Sequence, residues 1–356
     1  VTGARVGVDG RPLVGNRTGI GVHTAEIASR LHFEVPVVIA SHREIEDRSG
    51  LERCRLVVDH SPLGVLWQQA TLPRVMLREG CDVLWAPHAT LPLSLAIPSV
   101  ASVHDLTSIS MPHRHRLKTI FSFNVFIRAS LENASRIAAV SRVAADEVIR
   151  GFGINPMRIE IVPNGVDPFF SPGDEGRDDF VLYAGTLEPR KGIADLLAAW
   201  RLLGRRPRLV LAGDAGWGTS PLLRRDKESI DAGRLEIRGF VSRSELRDLY
   251  RRCAVFVYPS HFEGFGLPPL EAMACGAPVI TTTGGAIPEV VGDAAELVRP
   301  GSPDELARAL RRLAGSASRR SALREAGFAR ASRFSWENSA SRMSELLVAA
   351  ALSSPG

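Results

Sequence analysis

Short apolar runs and helix-like segments alternate along almost the whole chain, and they do so in two series. The first series has strand-type runs at residues 5–9, 35–40, 55–59, 82–86, 98–103, 136–140 and 158–162. Helical patterns lie between several of them, at 18–31, 65–79, 116–133 and 142–151. The second series has Phe180-Val181-Leu182-Tyr183, Arg208-Leu209-Val210-Leu211-Ala212, Leu235-Glu236-Ile237-Arg238, 253–258 and 277–281. Helical patterns there include 192–204 and 243–252. Strands that alternate with helices pair in parallel, because each parallel pairing needs a crossover connection. Between the series lies Ser171-Pro172-Gly173-Asp174-Glu175-Gly176-Arg177-Asp178-Asp179, polar and free of large apolar side chains. Such a stretch suits an interdomain linker. The expectation is two α/β domains, 1–170 and 180–334, joined by 171–179.

Length agrees, since 356 residues exceed what one hydrophobic core usually organises. Apolar residues make up 45% of the chain and mean hydropathy is +0.02, values of a globular protein. No run of 18 apolar residues occurs, and the start lacks the charged, apolar and cleavable parts of a secretory signal. Cys54, Cys81, Cys253 and Cys275 are scattered, with no C-x-x-C pair. They read as reduced thiols, and the expected compartment is the cytoplasm. Net charge is +5, carried almost wholly by arginine; only Lys118, Lys191 and Lys227 are lysines. That bias resembles a compositional habit of the genome, so no nucleic-acid partner is inferred from it. It does single out Lys191, beside Arg190, as a place that wants a compact point charge next to a planar fork.

The richest stretch lies between Ala254 and Glu289. Ala254-Val255-Phe256-Val257-Tyr258 is a strand-type run ended by Pro259. Gly264 and Gly266 follow in a loop, then Leu267 and Pro268, which suits a first helical turn. Gly276 is a helix stop, and Ala277-Pro278-Val279-Ile280-Thr281 a further strand. Ligands of open α/β sheets bind at the carboxyl ends of strands, where loop N–H groups and a helix dipole favour anions. Glu263 in that loop and Glu271 in the first turn of the helix are placed to meet a ligand's polar groups. Taken singly, Glu271 could equally complement the helix macrodipole, and Glu263 could be a solvated loop charge.

Other junctions repeat the theme. Tyr183-Ala184-Gly185-Thr186-Leu187-Glu188-Pro189-Arg190-Lys191-Gly192 runs from a strand through a loop into a helix. Its Arg190 and Lys191 are suited to a phosphate, because charge-assisted hydrogen bonds are the strong ones. Gly15-Asn16-Arg17-Thr18-Gly19-Ile20-Gly21 follows the first strand; it is no Walker A loop, and a plain structural turn is the competing reading. His104 ends the run 98–103 and His88 ends another, each readable as a structural histidine. Ser141 is most simply a helix N-cap. No Asp-x-Asp, H-E-x-x-H or clustered Cys/His pattern occurs, so no metal and no other cofactor is expected.

Together these segments resemble the retaining glycosyltransferases of family 4, with their E-x7-E pair and two Rossmann-like domains (the GT-B fold). Glu263 and Glu271 match the pair, and Phe265 and Leu267 fall inside it. The segment 183–192 resembles the family's donor-phosphate loop. Many members carry an arginine directly after its first glycine; here Thr186 stands there, and Arg190 is available for that role. Ile161-Val162-Pro163-Asn164-Gly165-Val166-Asp167 resembles the strand and turn before the interdomain crossing. Ser102-Val103-His104-Asp105 resembles the segment with the family's active-site histidine, and Phe334-Ser335-Trp336-Glu337 the start of its C-terminal helix. The resemblance implies a ligand cleft between the domains, and a helix 335–352 packing back toward the N-terminal, acceptor-side domain.

It also implies a metal-independent transfer of a hexose from a nucleotide diphosphate sugar to a glycan or lipid-linked hydroxyl. His104, Arg190, Lys191 and Glu263 would be catalytic. Gly19, Gly21, Arg190, Lys191, Glu263, Gly264, Phe265, Gly266, Leu267 and Glu271 would bind the donor, with Glu271 on the ribose. The compact phosphate loop is similar to that of mannosyltransferases of polysaccharide assembly, which makes GDP-mannose the first donor expected. A sugar-nucleotide epimerase on the same fold, or an inactive glycan-binding scaffold, would carry similar motifs. Finally, Arg114, Arg116 and Lys118 precede the apolar Ile120, Phe121, Phe123, Val125, Phe126 and Ile127. That pattern reads either as a core helix with a basic start or as a peripheral contact with an anionic membrane.

Overall fold

The computed structural model describes residues 3–17, 19–31, 34–106, 126–174, 176–216 and 223–352. The basic part of the 113–128 segment, with most of its apolar residues, lies outside them. The chain divides into two compact units, one of Val1–Gly165 with Ser335–Gly356, the other of Val166–Phe334.

The first unit holds β1 (Val6–Asp9), β2 (Val37–Ser41), β3 (Arg55–Val58), β4 (Val83–Ala86), β5 (Ser99–Val103), β6 (Arg136–Ala139) and β7 (Ile159–Ile161). They form one parallel sheet in the order β3-β2-β1-β4-β5-β6-β7. β1, β2, β4 and β5 are buried along their full length. Strands covered on both faces read as unbroken apolar runs, which is why the sequence displayed them so clearly. The expected helix 65–79 is two helices, Gly64–Ala70 and Leu72–Arg78, which meet at Thr71. The helix Trp336–Leu352 belongs to this unit and packs on Gly19–Leu31, with an Arg30–Glu337 ion pair of 2.9 Å. Ser339 Oγ donates to the Pro163 carbonyl at 2.5 Å, tying this helix to the segment that ends the unit.

The second unit holds β8 (Phe180–Ala184), β9 (Arg208–Ala212), β10 (Leu235–Gly239), β11 (Val255–Tyr258), β12 (Val279–Thr282) and β13 (Ala295–Val298). They form a second parallel sheet in the order β10-β9-β8-β11-β12-β13. β13 and the helices Pro303–Ala314 and Ala317–Ala331 were not expected from the sequence. Glu296 in the middle of β13 breaks its apolar run; it is buried and paired with Arg312 at 2.7 Å and with Arg319.

The boundary between units differs from the expected linker. It falls at Gly165–Val166 and again at Phe334–Ser335, so residues 166–179 belong to the second unit. There Val166 N–H donates to the Phe334 carbonyl at 3.0 Å. The polar stretch is held in place: Arg177 donates to the Cys253 carbonyl at 2.8 Å and Arg251 to the Ser171 carbonyl at 2.8 Å. Its described residues are exposed or half-buried.

Candidate active site

Each sheet reverses its strand order at one place. In the first unit this is between β1 and β4, in the second between β8 and β11. Loops diverge at such a switch point and leave a crevice beyond the strand ends. Both switch points carry a buried carboxylate with a cation beside it.

In the second unit the loop after β8 ends in a short turn, Pro189–Lys191. Gly192 closes that turn with φ +71, and a Cβ there would lie 2.0 Å from the Pro259 carbonyl oxygen. Only glycine lets the loops after β8 and β11 press together this closely. His261 N–H donates to the Arg190 carbonyl at 2.9 Å across the same contact. Lys191 Nζ then reaches Glu263 Oε1 at 2.6 Å and Tyr258 OH at 2.9 Å, which leaves one of its three protons. Arg190 stands 3.8 Å from the other Glu263 oxygen and donates to the Phe262 carbonyl. Glu263 is 8% exposed and also accepts from Tyr258 OH at 3.0 Å and Ser260 Oγ at 2.5 Å. Burial alone would raise its carboxyl; Lys191, then Arg190, and the hydrogen bonds from Lys191 and Ser260 outweigh that and hold it below the ordinary range. The Glu263 backbone is pinned too, since Ala286 N–H donates to its carbonyl at 2.8 Å.

Gly264, Phe265 and Gly266 carry the chain from Glu263 into the helix Leu267–Ala274, all three buried and Gly266 at φ +104. Phe265 packs edge-on against Phe334, and Leu267 opens the helix half-buried. Glu271 is the fifth residue of that helix, not in its first turn as the sequence reading placed it. The first turn is Leu267, Pro268, Pro269 and Leu270. The macrodipole, which acts within the first turn, therefore accounts poorly for Glu271. Its near partner is Tyr250 OH at 3.4 Å. Burial pushes its carboxyl up to about 7, against the pull of Arg243. That arginine is held by Asp167 at 2.5 Å and lies over the rings of Phe169 and Phe170.

In the first unit, His104 follows β5 and its Nε2–H donates to the Pro87 carbonyl at 2.9 Å, leaving Nδ1 as the lone-pair nitrogen. Burial holds its pKa low, against Pro87 and Asp105. The ring meets His23 edge-on at 4.6 Å, and His23 Nδ1 is hydrogen-bonded to Asn164 Oδ1 at 2.7 Å. Gly19 and Gly21 start the helix Gly19–Leu31. A Cβ on Gly19 would meet nothing, while one on Gly21 would lie 2.6 Å from the Pro12 carbonyl. Gly21 is thus needed for packing against the turn Arg11–Leu13. Ser141 caps its helix, accepting from Ala144 N–H at 3.0 Å.

Comparison with known proteins fits both halves. Residues 17–169 match the family described as Glycosyltransferase Family 4, and residues 168–330 match Glycosyl transferases group 1. The O-antigen chain mannosyltransferase B of Escherichia coli is 30% identical over 90% of this chain and 93% of its own length. The chain belongs to the GT-B-type glycosyltransferases. A second relative, the serotype-specific mannosyltransferase WbdA of Escherichia coli, is 30% identical over 68% of this chain but only 32% of itself. Two solved structures share the fold. Anabaena HepE in complex with UDP and glucose has a TM-score of 0.76 at 20% identity, covering 97% of this chain and 99% of that one. Sucrose-phosphate synthase from Thermosynechococcus elongatus has a TM-score of 0.79 at 22% identity, covering 96% and 98%.

Within this glycosyltransferase the structure joins Arg190, Lys191 and Glu263 directly and sets Glu271 on the next helix. His104, Gly19 and Gly21 lie in the other unit. The sequence reading missed Tyr258, Ser260, Tyr250 and Arg243, which hold or tune the two glutamates. Tyr258 and Ser260 flank Pro259 within five residues of Glu263; Tyr250 and Arg243 carry no local signal. No helix among the described residues is long and apolar enough to cross a membrane.

Proposed function

We infer that this glycosyltransferase is a retaining, metal-independent mannosyltransferase. It takes the hexose from a nucleotide diphosphate sugar, with GDP-mannose the first candidate, and passes it to a glycan or lipid-linked hydroxyl. The observation that carries this reading is the pair of cations at the second switch point, where Lys191 and Arg190 both lie beside Glu263 and Lys191 keeps one proton beyond its bonds to Glu263 and Tyr258. The names of the two Escherichia coli relatives support mannose.

As the glycosidic bond breaks, negative charge grows on the leaving diphosphate. Cations already fixed in place stabilise that charge without reorganising. The last proton on Lys191 Nζ and the Arg190 guanidinium meet the phosphates, while Glu263 accepts hydroxyl protons of the hexose. Glu271 accepts from the ribose. His104 Nδ1 accepts a sugar hydroxyl. The acceptor attacks the face from which the diphosphate departs, and a departing phosphate oxygen takes its proton, so the anomeric configuration is kept.

The reading is tested by incubating the protein with GDP-mannose, UDP-glucose and UDP-N-acetylglucosamine, each with and without octyl α-D-mannopyranoside. Mannosyl transfer from GDP-mannose with an α-linked product is expected. Donor isomerisation without acceptor, or inertness toward all three donors, would refute it.

A further inference from the structure

The first switch point holds a side-chain network that the proposed chemistry leaves unused. Asp9 ends β1 with no exposure at all. The Arg11 guanidinium grips it through Nε at 3.0 Å and Nη2 at 2.8 Å, and Gln68 Nε2 adds a bond at 3.2 Å. Arg11 Nη2 also lies 2.8 Å from His88 Nε2, just past the end of β4. Arginine can only donate, so Nε2 must carry the lone pair and the His88 proton sits on Nδ1. That proton points to Thr90 Oγ1 at 3.1 Å, while the two Gln68 Nε2 protons go to the Thr90 carbonyl at 2.7 Å and to Asp9. Burial first, and Arg11 next, keep His88 neutral down to about pH 4.

Two donors remain when these bonds are counted. Arg11 Nη1 gives one proton to the Gly64 carbonyl at 3.3 Å and has one left. The Thr90 hydroxyl accepts from His88 and keeps its own hydrogen and a second lone pair. Both side chains are half-buried. The set therefore offers two donors and, in the spare Thr90 lone pair, an acceptor, and its formal charges cancel, one carboxylate against one guanidinium. A phosphate would bring negative charge to a set whose own charges already cancel, beside the Asp9 carboxylate. A sugar hydroxyl both donates and accepts and brings no charge.

We propose that Arg11 and Thr90, held in place by Asp9, Gln68 and His88, form a subsite for neutral hydroxyls of the acceptor sugar. The substrate class rests on the transferase reading above; the geometry does not. Arg11 and Thr90 touch the sugar, and the other three position them.

The test follows the His88 ring nitrogens by NMR in protein labelled with nitrogen-15 histidine while methyl α-D-mannopyranoside is added. A saturating shift with Kd on the order of millimolar is expected. Arg11→Lys keeps the charge on Asp9 but loses the fork, and should weaken Kd by about tenfold or more. Thr90→Val leaves the ion pair intact and should weaken it about fivefold, the scale of one neutral hydrogen bond. Inorganic phosphate should give no shift. Absence of a shift up to about 100 mM glycoside, far above a millimolar Kd, would overturn the proposal. So would unchanged affinity in both variants, or a shift caused by phosphate. Nucleotide-sugar turnover, measured separately, reports on the transferase reading alone.

Discussion

The two switch points are built alike and charged differently. Each places a buried carboxylate, Asp9 or Glu263, between loops that leave neighbouring strands, and each pairs it with a basic side chain. In the first unit Asp9 faces Arg11 alone among charged partners bonded to it, and a neutral histidine completes the set. In the second, Glu263 faces both Lys191 and Arg190, and Lys191 keeps a proton to give. The balance of charge, more than the fold, says what each place can hold. A neutral network with mixed donors and acceptors fits sugar hydroxyls; two cations beside one buried carboxylate, with a Lys191 proton to give, fit a diphosphate. Burying either carboxylate costs several kcal/mol unless it is paired. The pairing therefore keeps each site folded, and only what is left over is free to meet a ligand.

The largest effect should come from Lys191. Lys191→Ala is expected to lower kcat/KM by about 100-fold or more, the scale of a lost electrostatic stabiliser. Circular dichroism should show a folded protein, because Glu263 keeps Arg190, Tyr258 and Ser260. Steady-state kinetics with undiminished kcat/KM would remove Lys191 from the chemistry. A smaller, divided effect is expected from the glutamates. Glu271→Ala should weaken GDP binding by about tenfold, the loss of a charge-assisted bond or two to ribose. Glu263→Ala should leave GDP binding nearly intact and impair use of GDP-mannose. Equal weakening by both, measured by calorimetry with GDP alone, would show that the roles are not split between the loop and the helix.

Much of this was legible before any coordinates. Strands buried on both faces announced themselves as apolar runs, and Glu263, Arg190 and Lys191 stood out because glycines and prolines frame them. What stayed hidden was hidden for physical reasons. β13 carries Glu296, whose arginine partners come from later helices. The division of the units at Gly165–Val166 sits in an ordinary-looking strand-and-turn motif, while the polar 171–179 stretch is tied to the second unit through Arg177 and Arg251. Asp9 and Arg11 look like routine residues after a first strand. Only the sheet order, which brings β4 beside β1, sets His88 against them.

Two smaller effects sharpen the contrast. The Glu271 carboxyl, raised to about 7, holds its proton to higher pH in the folded chain than in the unfolded one. Its contribution to stability therefore falls as pH rises from the ordinary carboxyl range toward 7. A ribose that donates to the ionised carboxylate lowers that pKa and releases a proton on binding. GDP affinity should then rise with pH up to about 7 and level off above, changing by at most roughly tenfold per unit. Calorimetry from pH 5.5 to 8 checks this, and Glu271→Gln should flatten the profile. The smallest effect concerns membranes. Vesicles rich in anionic lipid should bind the protein at low salt, each basic residue adding about 1 kcal/mol. Changing Arg114, Arg116 and Lys118 to Glu should abolish co-sedimentation; no binding by the unaltered protein would dismiss the membrane reading.

The contrast between a neutral and a cationic switch point is tested most directly by one calorimetric comparison of GDP binding. Lys191→Met should weaken GDP by about tenfold or more, the value of a charge-assisted phosphate bond. Arg11→Lys, at the other switch point, should leave the GDP Kd unchanged. Undiminished GDP binding by Lys191→Met, or a loss of GDP binding in Arg11→Lys as large as in Lys191→Met, would contradict the assignment of the diphosphate to the second unit.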